Sequence, residues 1–196
     1  MTQDLDTPSR LLQVALQLFA EAGYENVGTQ RIVETAAVKK PTLYYHFGSK
    51  QGLLKAVLQQ HFDPFLAELQ ATTQYQGDLT HTLEQSVRLY FQQIRQAPQA
   101  LRLGMALMYA SEQSEGFACM RPYWQAQLAC FESLFQAAEG QHGNLRGRSA
   151  FLSLAFLGAI HTQISAVFFQ GMAPEALNAH HAFLTCKHFM HGIYAG

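Results

Sequence analysis

The sequence predicts an all-α fold of about nine helices. Apolar residues recur at helical spacing along most of the 196 residues, while alternating or β-branched runs typical of strands are few. A hydrophobic fraction of 48% with 14% charged residues is typical of a globular chain with a buried core. We expect a short N-terminal domain over residues 1–50 and a longer helical domain over residues 51–196.

Three short helices fit within the first fifty residues. The first spans Thr7–Ala22, with Thr7 or Ser9 as its N-cap and Gly23 ending it. The next two are predicted over Thr29–Ala36 and about Lys39–Phe47.

Six longer helices are predicted after Gly48. Their limits are Ser49–Gln70, Asp78–Arg95, Pro98–Ser111, Gly116–Ala138, Asn144–Gln170 and Pro174–Tyr194. We expect Pro64 to kink or break the first of these, because proline removes a backbone hydrogen bond. The helix that starts at Ser49 would join the two domains without a flexible linker.

Positive charge is concentrated in one segment. The whole chain has 13 basic and 14 acidic residues, a net charge of −1, so any affinity for nucleic acid must be local. Between Arg31 and Lys55 the chain has five basic residues and one acid, Glu34. This window is consistent with a DNA-binding surface or with an ordinary solvated face.

The remaining composition points to the cytoplasm. Cys119, Cys130 and Cys186 are odd in number and widely spaced, which favours reduced thiols over disulfides. The polar N-terminus lacks the pattern of a secretory signal. The apolar stretch 150–169 is interrupted by polar residues at 161–163, so we interpret it as a buried helix and not as a membrane span.

The segment from Ile32 to Lys50 has the features of a helix-turn-helix. This motif needs two short helices, a tight turn of small residues, and apolar side chains that fix the angle between the helices. Ile32, Ala36, Val38 and Leu43 supply the apolar contacts. Side chains at the front of the second helix reach base edges in the major groove. The residues placed there are Lys39, Lys40, Pro41, Thr42 and Tyr45.

From about Arg10 to Val57 the chain resembles the TetR family of transcriptional regulators. The residues that carry the resemblance are Leu12, Ala15, Leu18-Phe19-Ala20, Gly23-Tyr24, Ile32, Ala36, Val38, Thr42-Leu43-Tyr44, His46-Phe47, Ser49-Lys50 and Leu53-Leu54. Beyond Leu54 the resemblance is one of helix number and length. It implies that Tyr44, His46 and Lys50 contact DNA phosphates, positioning the protein on the duplex.

The same resemblance implies which residues read the DNA sequence. The groove-facing set would be Lys40, Thr42 and Tyr45, while Thr29, Gln30 and Arg31 would reach a phosphate or a neighbouring base. Without the resemblance, the Tyr44-Tyr45 pair is typical of packing and solubility.

The chain departs from the family pattern at Gly28, Ala37 and Lys39, where Ser or Thr, Gly, and Ser are common. A glycine cap costs only a few tenths of a kcal/mol relative to serine, so these departures affect the base contacts more than the fold.

The segments 88–109 and 116–135 are rich in methionine and aromatic residues. Most of these side chains belong to an ordinary core, but such residues also line adaptable ligand pockets. The resemblance implies an effector pocket in this domain. Its candidate residues are Tyr90, Met105, Met108, Tyr109, Tyr123 and Trp124. Charges are few here, and Arg95, Arg102 and Arg121 are the cations available to bind an acidic ligand group, so we expect a small, mainly apolar effector.

The predicted helix Asn144–Gln170 is apolar nearly all round. Such a helix must be covered on every side, which in a domain of this size indicates a partner subunit. We therefore expect a C2 homodimer formed by this helix and the helix Pro174–Tyr194.

Other functions are less consistent with the sequence. His180, His181, His188 and His191 could share a helix face, but no cysteine or carboxylate supports a metal site, so interface or surface histidines are the simpler interpretation. The chain contains none of the common hydrolase, nucleotide-binding or metalloprotease motifs. We expect a repressor released from its operator by its ligand, with no enzymatic activity, cofactor or metal. The alternative is an architectural DNA-binding protein without an internal cavity.

Overall fold

Helices form every regular element that the computed structural model describes, over residues 6–191. The nine α-helices in this range are α1 (Thr7–Ala22), α2 (Thr29–Thr35), α3 (Lys40–Phe47), α4 (Lys50–Thr72), α5 (Leu79–Gln96), α6 (Pro98–Met108), α7 (Glu115–Ala138), α8 (Ser149–Phe169) and α9 (Ala179–His191). Short 3₁₀ turns at Gly143–Leu145 and Pro174–Ala176 precede α8 and α9. The prediction of an all-α fold is confirmed.

The N-cap of α1 differs from the prediction, although its limits agree. Asp6 is the N-cap, and its side chain accepts a hydrogen bond of 2.9 Å from the backbone N–H of Ser9. Thr7 and Ser9, the predicted caps, already lie within the helix. An ionised aspartate satisfies a free N–H at a helix start and also favours the positive end of the helix dipole, so Asp6 is the stronger cap.

Two long helices begin later than predicted. The predicted helix Asn144–Gln170 is divided into a 3₁₀ turn and α8, because Gly147 lies between them with φ +71°. The predicted helix Pro174–Tyr194 likewise begins with a 3₁₀ turn before α9. Its predicted end at Tyr194 lies outside the described residues. The predicted break at Pro64 is not observed, since α4 continues through it to Thr72, and the alternative of a kink stays a prediction.

The described residues form two compact units. The first contains the residues up to Pro64 together with Gln99–Trp124, and the second contains Phe65–Pro98 and the residues from Gln125 onward. α4 and α7 therefore contribute residues to both units. This grouping reflects proximity of the backbone, and the functional boundary at residue 50 stays a prediction.

The core of the first unit holds α1, α2 and α3 together. Leu11, Phe19, Ile32 and Leu43 are fully buried. Gly104 of α6 permits close approach, since a Cβ there would lie 2.6 Å from Cζ of Phe62.

The core of the second unit is aromatic. The rings of Phe131 and Phe156 meet edge to face with centroids 5.2 Å apart, and Phe189 lies 4.8 Å from Phe156. The helices α5 and α9 contact each other, and Arg95 donates a 2.5 Å hydrogen bond to the carbonyl of Leu177.

All three cysteines are buried free thiols. Burial raises the pKa of Cys186 to about 12, so this thiol is protonated at neutral pH.

Candidate DNA interface and effector region

Helix α3 exposes the side chains that the sequence assigns to DNA. Leu43 is fully buried and anchors the helix, whereas Tyr44 is 43% and Tyr45 84% exposed. The other exposed members are Lys39, Lys40 and His46, and Thr42 is half-buried. Lys39 occupies the N-cap position without a side-chain cap bond, so its side chain is not used by the helix. An anchored helix with an exposed polar and aromatic face is the arrangement that reads a DNA groove.

Helix α2 and the following turn support α3. Gly28 is the N-cap of α2, as predicted, and α2 contacts α3. Thr29 is half-buried, Gln30 and Arg31 are exposed, and the Gln30 side chain donates a 2.6 Å hydrogen bond to Glu34. The structure therefore places these three residues in the first turn of α2, a helix that contacts α3.

The turn between the two helices is tight and strained. Ala37 has φ +52°, in the left-handed region that glycine adopts more easily. The backbone N–H of Val38 closes the turn on the carbonyl of Val33 at 2.9 Å. This geometry explains why glycine is common at this position in the family that the sequence resembles.

Lys50 is held by a residue that the sequence did not assign to the site. Its Nζ donates a 3.0 Å hydrogen bond to the carbonyl of Tyr24 and lies 4.1 Å from the centre of the Tyr24 ring. Tyr24 in turn donates from its hydroxyl to Oε2 of Glu115 at 2.8 Å. The sequence named Tyr24 among the residues that carry the family resemblance, but gave it no role at the site.

The six candidate effector residues are not gathered in one compact unit. Tyr90 belongs to the second unit, and the other five, Met105, Met108, Tyr109, Tyr123 and Trp124, belong to the first. Tyr109 is 77% exposed, whereas Tyr123 is partly buried and donates a 2.8 Å hydrogen bond to Asp63. Burial and this carboxylate raise the pKa of Tyr123.

Tyr90 is part of a polar cluster within the apolar core of the second unit. It is fully buried, donates a 2.6 Å hydrogen bond to Oε1 of Gln127, and its ring lies 6.0 Å from that of His161. Burial raises the pKa of Tyr90 and lowers the pKa of His161 to about 4. At neutral pH both side chains are therefore uncharged. The cluster is compatible with neutral hydrogen-bonding groups of a ligand.

Helix α8 exposes several apolar side chains, and α9 exposes Phe183. Phe151 is 66%, Leu154 54% and Phe169 80% exposed on α8, and Phe183 is 47% exposed on α9. Exposed apolar patches of this kind are typical of interaction surfaces. Among the described residues, α8 is the one helix long and apolar enough to cross a membrane, a test that core helices of soluble proteins also pass.

The histidines of α9 fall in two settings. His181 and His188 line an open groove of about 430 Å³ between α8 and α9, where Nε2 of His181 lies 2.8 Å from Oε1 of Gln163. His180 and His191 are exposed. The described residues contain no group of three or more potential metal ligands.

Comparison with known proteins supports the helix-turn-helix interpretation. The family model for bacterial regulatory proteins of the tetR family matches residues 11–57. The chain is 34% identical over 103 residues to the transcriptional activator FasR of Mycolicibacterium smegmatis, a match that covers 53% of this chain and 47% of FasR. It is 37% identical over 93 residues to the regulator RutR of Escherichia coli K12, covering 47% of this chain and 43% of RutR.

The matched segments span less than half the length of FasR and of RutR. The remainder of the chain shows similarity in fold. The structure of the regulator FadR from Bacillus subtilis in complex with stearoyl-CoA superposes with a TM-score of 0.77 at 14% identity, covering 95% of this chain and 99% of FadR. At this identity the likeness concerns the fold alone. Residues 11–57 are therefore similar to the helix-turn-helix domain of the tetR family of bacterial regulatory proteins, and the fold of the chain is similar to that of FadR.

Proposed function

We propose that this protein is a cytoplasmic transcriptional repressor that binds operator DNA as a homodimer and is released when a small, mainly apolar effector binds the domain after residue 50. The observation that carries the DNA-binding part is the exposed face of α3, anchored by the fully buried Leu43. The basic window from Arg31 to Lys55 supplies local positive charge in a chain of net charge −1. The relatives FasR and RutR are named as transcriptional regulators, which favours regulation over catalysis.

Phosphate contacts and base contacts are assigned to different residues of this surface. Tyr44, His46 and Lys50 would hold phosphates, whereas Lys40, Thr42 and Tyr45 would read bases. Thr29, Gln30 and Arg31 would contact a phosphate or a flanking base, with Lys39 at the entrance to the groove.

Dimer formation would bring two copies of α3 to two half-sites of an operator. The exposed apolar side chains of α8, with Phe183 of α9, are available for this association. A twofold axis would make the same patch serve both protomers, as is usual in homodimers.

The effector would be an acyl compound or another molecule with a long apolar part. FadR, which shares this fold, was crystallised with stearoyl-CoA, and here the effector region is rich in apolar and aromatic side chains. The candidate effector contacts in the first unit are Met105, Met108, Tyr109, Tyr123 and Trp124, and Tyr90 is a separate candidate in the second unit. The exposed Arg102 and Arg121 are available for an acidic head group.

The DNA assignment is tested with Lys50→Ala and Lys40→Ala on an operator selected from random duplexes and on a scrambled duplex. Lys50→Ala should weaken both complexes similarly and reduce the salt dependence by about 0.9 per protomer, because one phosphate contact is lost. Lys40→Ala should cost about 1–3 kcal/mol on the operator and much less on the scrambled duplex.

The control variant is Arg146→Ala, which removes one exposed positive charge outside the basic window. It should leave affinity and salt dependence close to those of the unmodified protein. If Lys50→Ala leaves the slope unchanged while Lys40→Ala weakens both duplexes equally, the roles of the two lysines are reversed. If neither variant changes binding, α3 is not the recognition helix.

The effector assignment is tested by titrating stearoyl-CoA and the free fatty acid calorimetrically, with and without operator. A tenfold loss of operator affinity requires about 1.4 kcal/mol of coupling, so the effector must bind tenfold more weakly to the DNA complex. Equal affinity in both conditions would reject coupling. If neither stearoyl-CoA nor the free fatty acid binds, the effector is not an acyl compound.

A further inference from the structure

Tyr24 contacts both a DNA-facing residue and the start of α7. Its carbonyl accepts a 3.0 Å hydrogen bond from Nζ of Lys50, and its ring lies 4.1 Å from the same ammonium. Its hydroxyl donates to Oε2 of Glu115 at 2.8 Å. Glu115 is the first residue of α7, 91 positions further along the chain. All of these residues lie within the first compact unit.

The position of Tyr24 is closely constrained. The residue is 3% exposed, and its ring meets Phe19 edge to face with centroids 5.1 Å apart. At Gly116, an added Cβ would lie 2.6 Å from Cδ2 of Leu107 and 3.4 Å from Cδ1 of Tyr24. Burial and the bond to Glu115 raise the pKa of Tyr24, so its hydroxyl remains a hydrogen-bond donor. A displacement of the first turn of α7 would therefore be felt at Tyr24.

Tyr24 orders the Lys50 side chain but leaves part of its ammonium group able to contact a phosphate. A lysine ammonium has three N–H donors, and the carbonyl of Tyr24 uses one of them. Lys50 is also partly exposed, which leaves donors for a phosphate oxygen. A free lysine side chain loses up to about 2 kcal/mol of rotamer entropy when it is fixed, so prior ordering favours binding.

We propose that Tyr24 is the positioning residue for Lys50, and that its bond to Glu115 makes this positioning depend on α7. The inference rests on the proposed function only in requiring that Lys50 contacts DNA phosphate. It gives α7 a direct route to a phosphate contact: when the first turn of α7 moves, Tyr24 moves with it, and Lys50 loses its ordered position.

The test uses the full chain and a random-sequence duplex at low salt, because a phosphate contact does not depend on base sequence. Tyr24→Phe removes the bond to Glu115 but keeps the ring and the carbonyl. Glu115→Leu and Glu115→Gln remove the same charge, but only Gln keeps an oxygen acceptor. Tyr75→Phe is the matched control, since it removes a 2.7 Å hydroxyl bond to Gln141 in the second unit.

We expect Tyr24→Phe to weaken duplex binding about threefold, consistent with partial loss of lysine ordering. Glu115→Leu should bind about threefold more weakly than Glu115→Gln. Tyr75→Phe should bind like the unmodified protein. Thermal unfolding of each variant checks that it is folded.

The decisive measurement is the double variant with Lys50→Ala. If Tyr24 acts through Lys50, Tyr24→Phe should have no further effect once Lys50 is alanine, whereas a merely structural role would give the same loss in both backgrounds. Equal losses, no loss, or tighter binding by Tyr24→Phe would each overturn the inference.

The result also separates this inference from the proposed function. If the unmodified protein binds no duplex, the proposed function fails, and the inference fails with it. If the protein binds, and Lys50→Ala lowers the salt dependence while Tyr24→Phe changes nothing, the inference alone is wrong.

Discussion

Replacing Leu154 with glutamate should dissociate the proposed homodimer. Leu154 is 54% exposed on α8, between Phe151 and the open position of Gly158, where no atom lies within 4 Å of an added Cβ. Burying a whole leucine side chain is worth about 1.5–3 kcal/mol, so covering its exposed half contributes roughly 1–1.5 kcal/mol per protomer.

A twofold axis doubles this contribution to about 2–3 kcal/mol, which corresponds to a rise in the dimer Kd of roughly 30- to 150-fold. Glutamate adds the cost of two like charges at one interface, so this range is a lower estimate for Leu154→Glu. Loss of the dimer should also weaken operator binding, because the two half-sites would be bound independently.

The assay is sedimentation over a concentration series from nanomolar to tens of micromolar. Thr80→Glu, which adds the same charge at an exposed position of α5, is the control and should remain dimeric. If Leu154→Glu sediments as a dimer with unchanged Kd, the exposed face of α8 is not the interface. A monomeric unmodified protein at the highest concentration would refute the dimer itself.

Two further predictions concern stability. Because burial lowers the pKa of His161 from 6.5 to about 4, the unfolded chain takes up a proton below pH 6.5 that the folded chain accepts only near pH 4. Stability should therefore fall by about 1.4 kcal/mol per pH unit across this window, and urea unfolding at pH 7 and 5 should show a smaller loss in His161→Leu. Ala37→Gly should raise the free energy of unfolding by about 0.5–1 kcal/mol, since glycine adopts φ +52° without strain; a decrease in a urea titration would contradict this.

The N-terminal helices were predictable because their signals are local. Gly28 caps α2 and Gly23 ends α1 as the sequence indicates, and the predicted limits Thr7–Ala22 agree with α1. Buried and exposed positions on α3 also follow from the spacing of its apolar residues, with Leu43 as the anchor.

The start of α8 could not be read from hydrophobicity. Leu145 is buried and fits a helical pattern, but Gly147 adopts a positive φ and interrupts the backbone hydrogen bonds. A glycine within an apolar pattern is compatible with a helix or with a turn; here Gly147 forms the turn, and its backbone N–H donates a 3.2 Å hydrogen bond to Oε1 of Glu139.

The contacts of Lys50 at the candidate site also could not be predicted from the sequence. The sequence places Lys50 next to α3, but the partner that orders it, Tyr24, is itself held by Glu115, 91 positions away. Single-sequence patterns report neighbours along one helix, and they do not report which distant carboxylate meets a given hydroxyl. The surroundings of Tyr90 were unpredictable for the same reason. Its hydrogen-bond partner, Gln127, lies on another helix, so the sequence could not show that the two side chains meet.

The charge distribution sets an upper limit on the salt dependence of DNA binding. The window from Arg31 to Lys55 contains five basic residues, so a dimer presents ten, and the slope of log K against log salt is at most about −9 if each neutralises one phosphate. Lys39 is the N-cap of α3, Lys40 is its first residue and Lys55 lies on α4, so we expect fewer than ten contacts at once. Each ordered lysine is then a large share of the electrostatic affinity. If Lys50 holds a phosphate as proposed, a change in the position of Lys50 alone would alter operator affinity measurably, even where the proposed base contacts of α3 stayed the same.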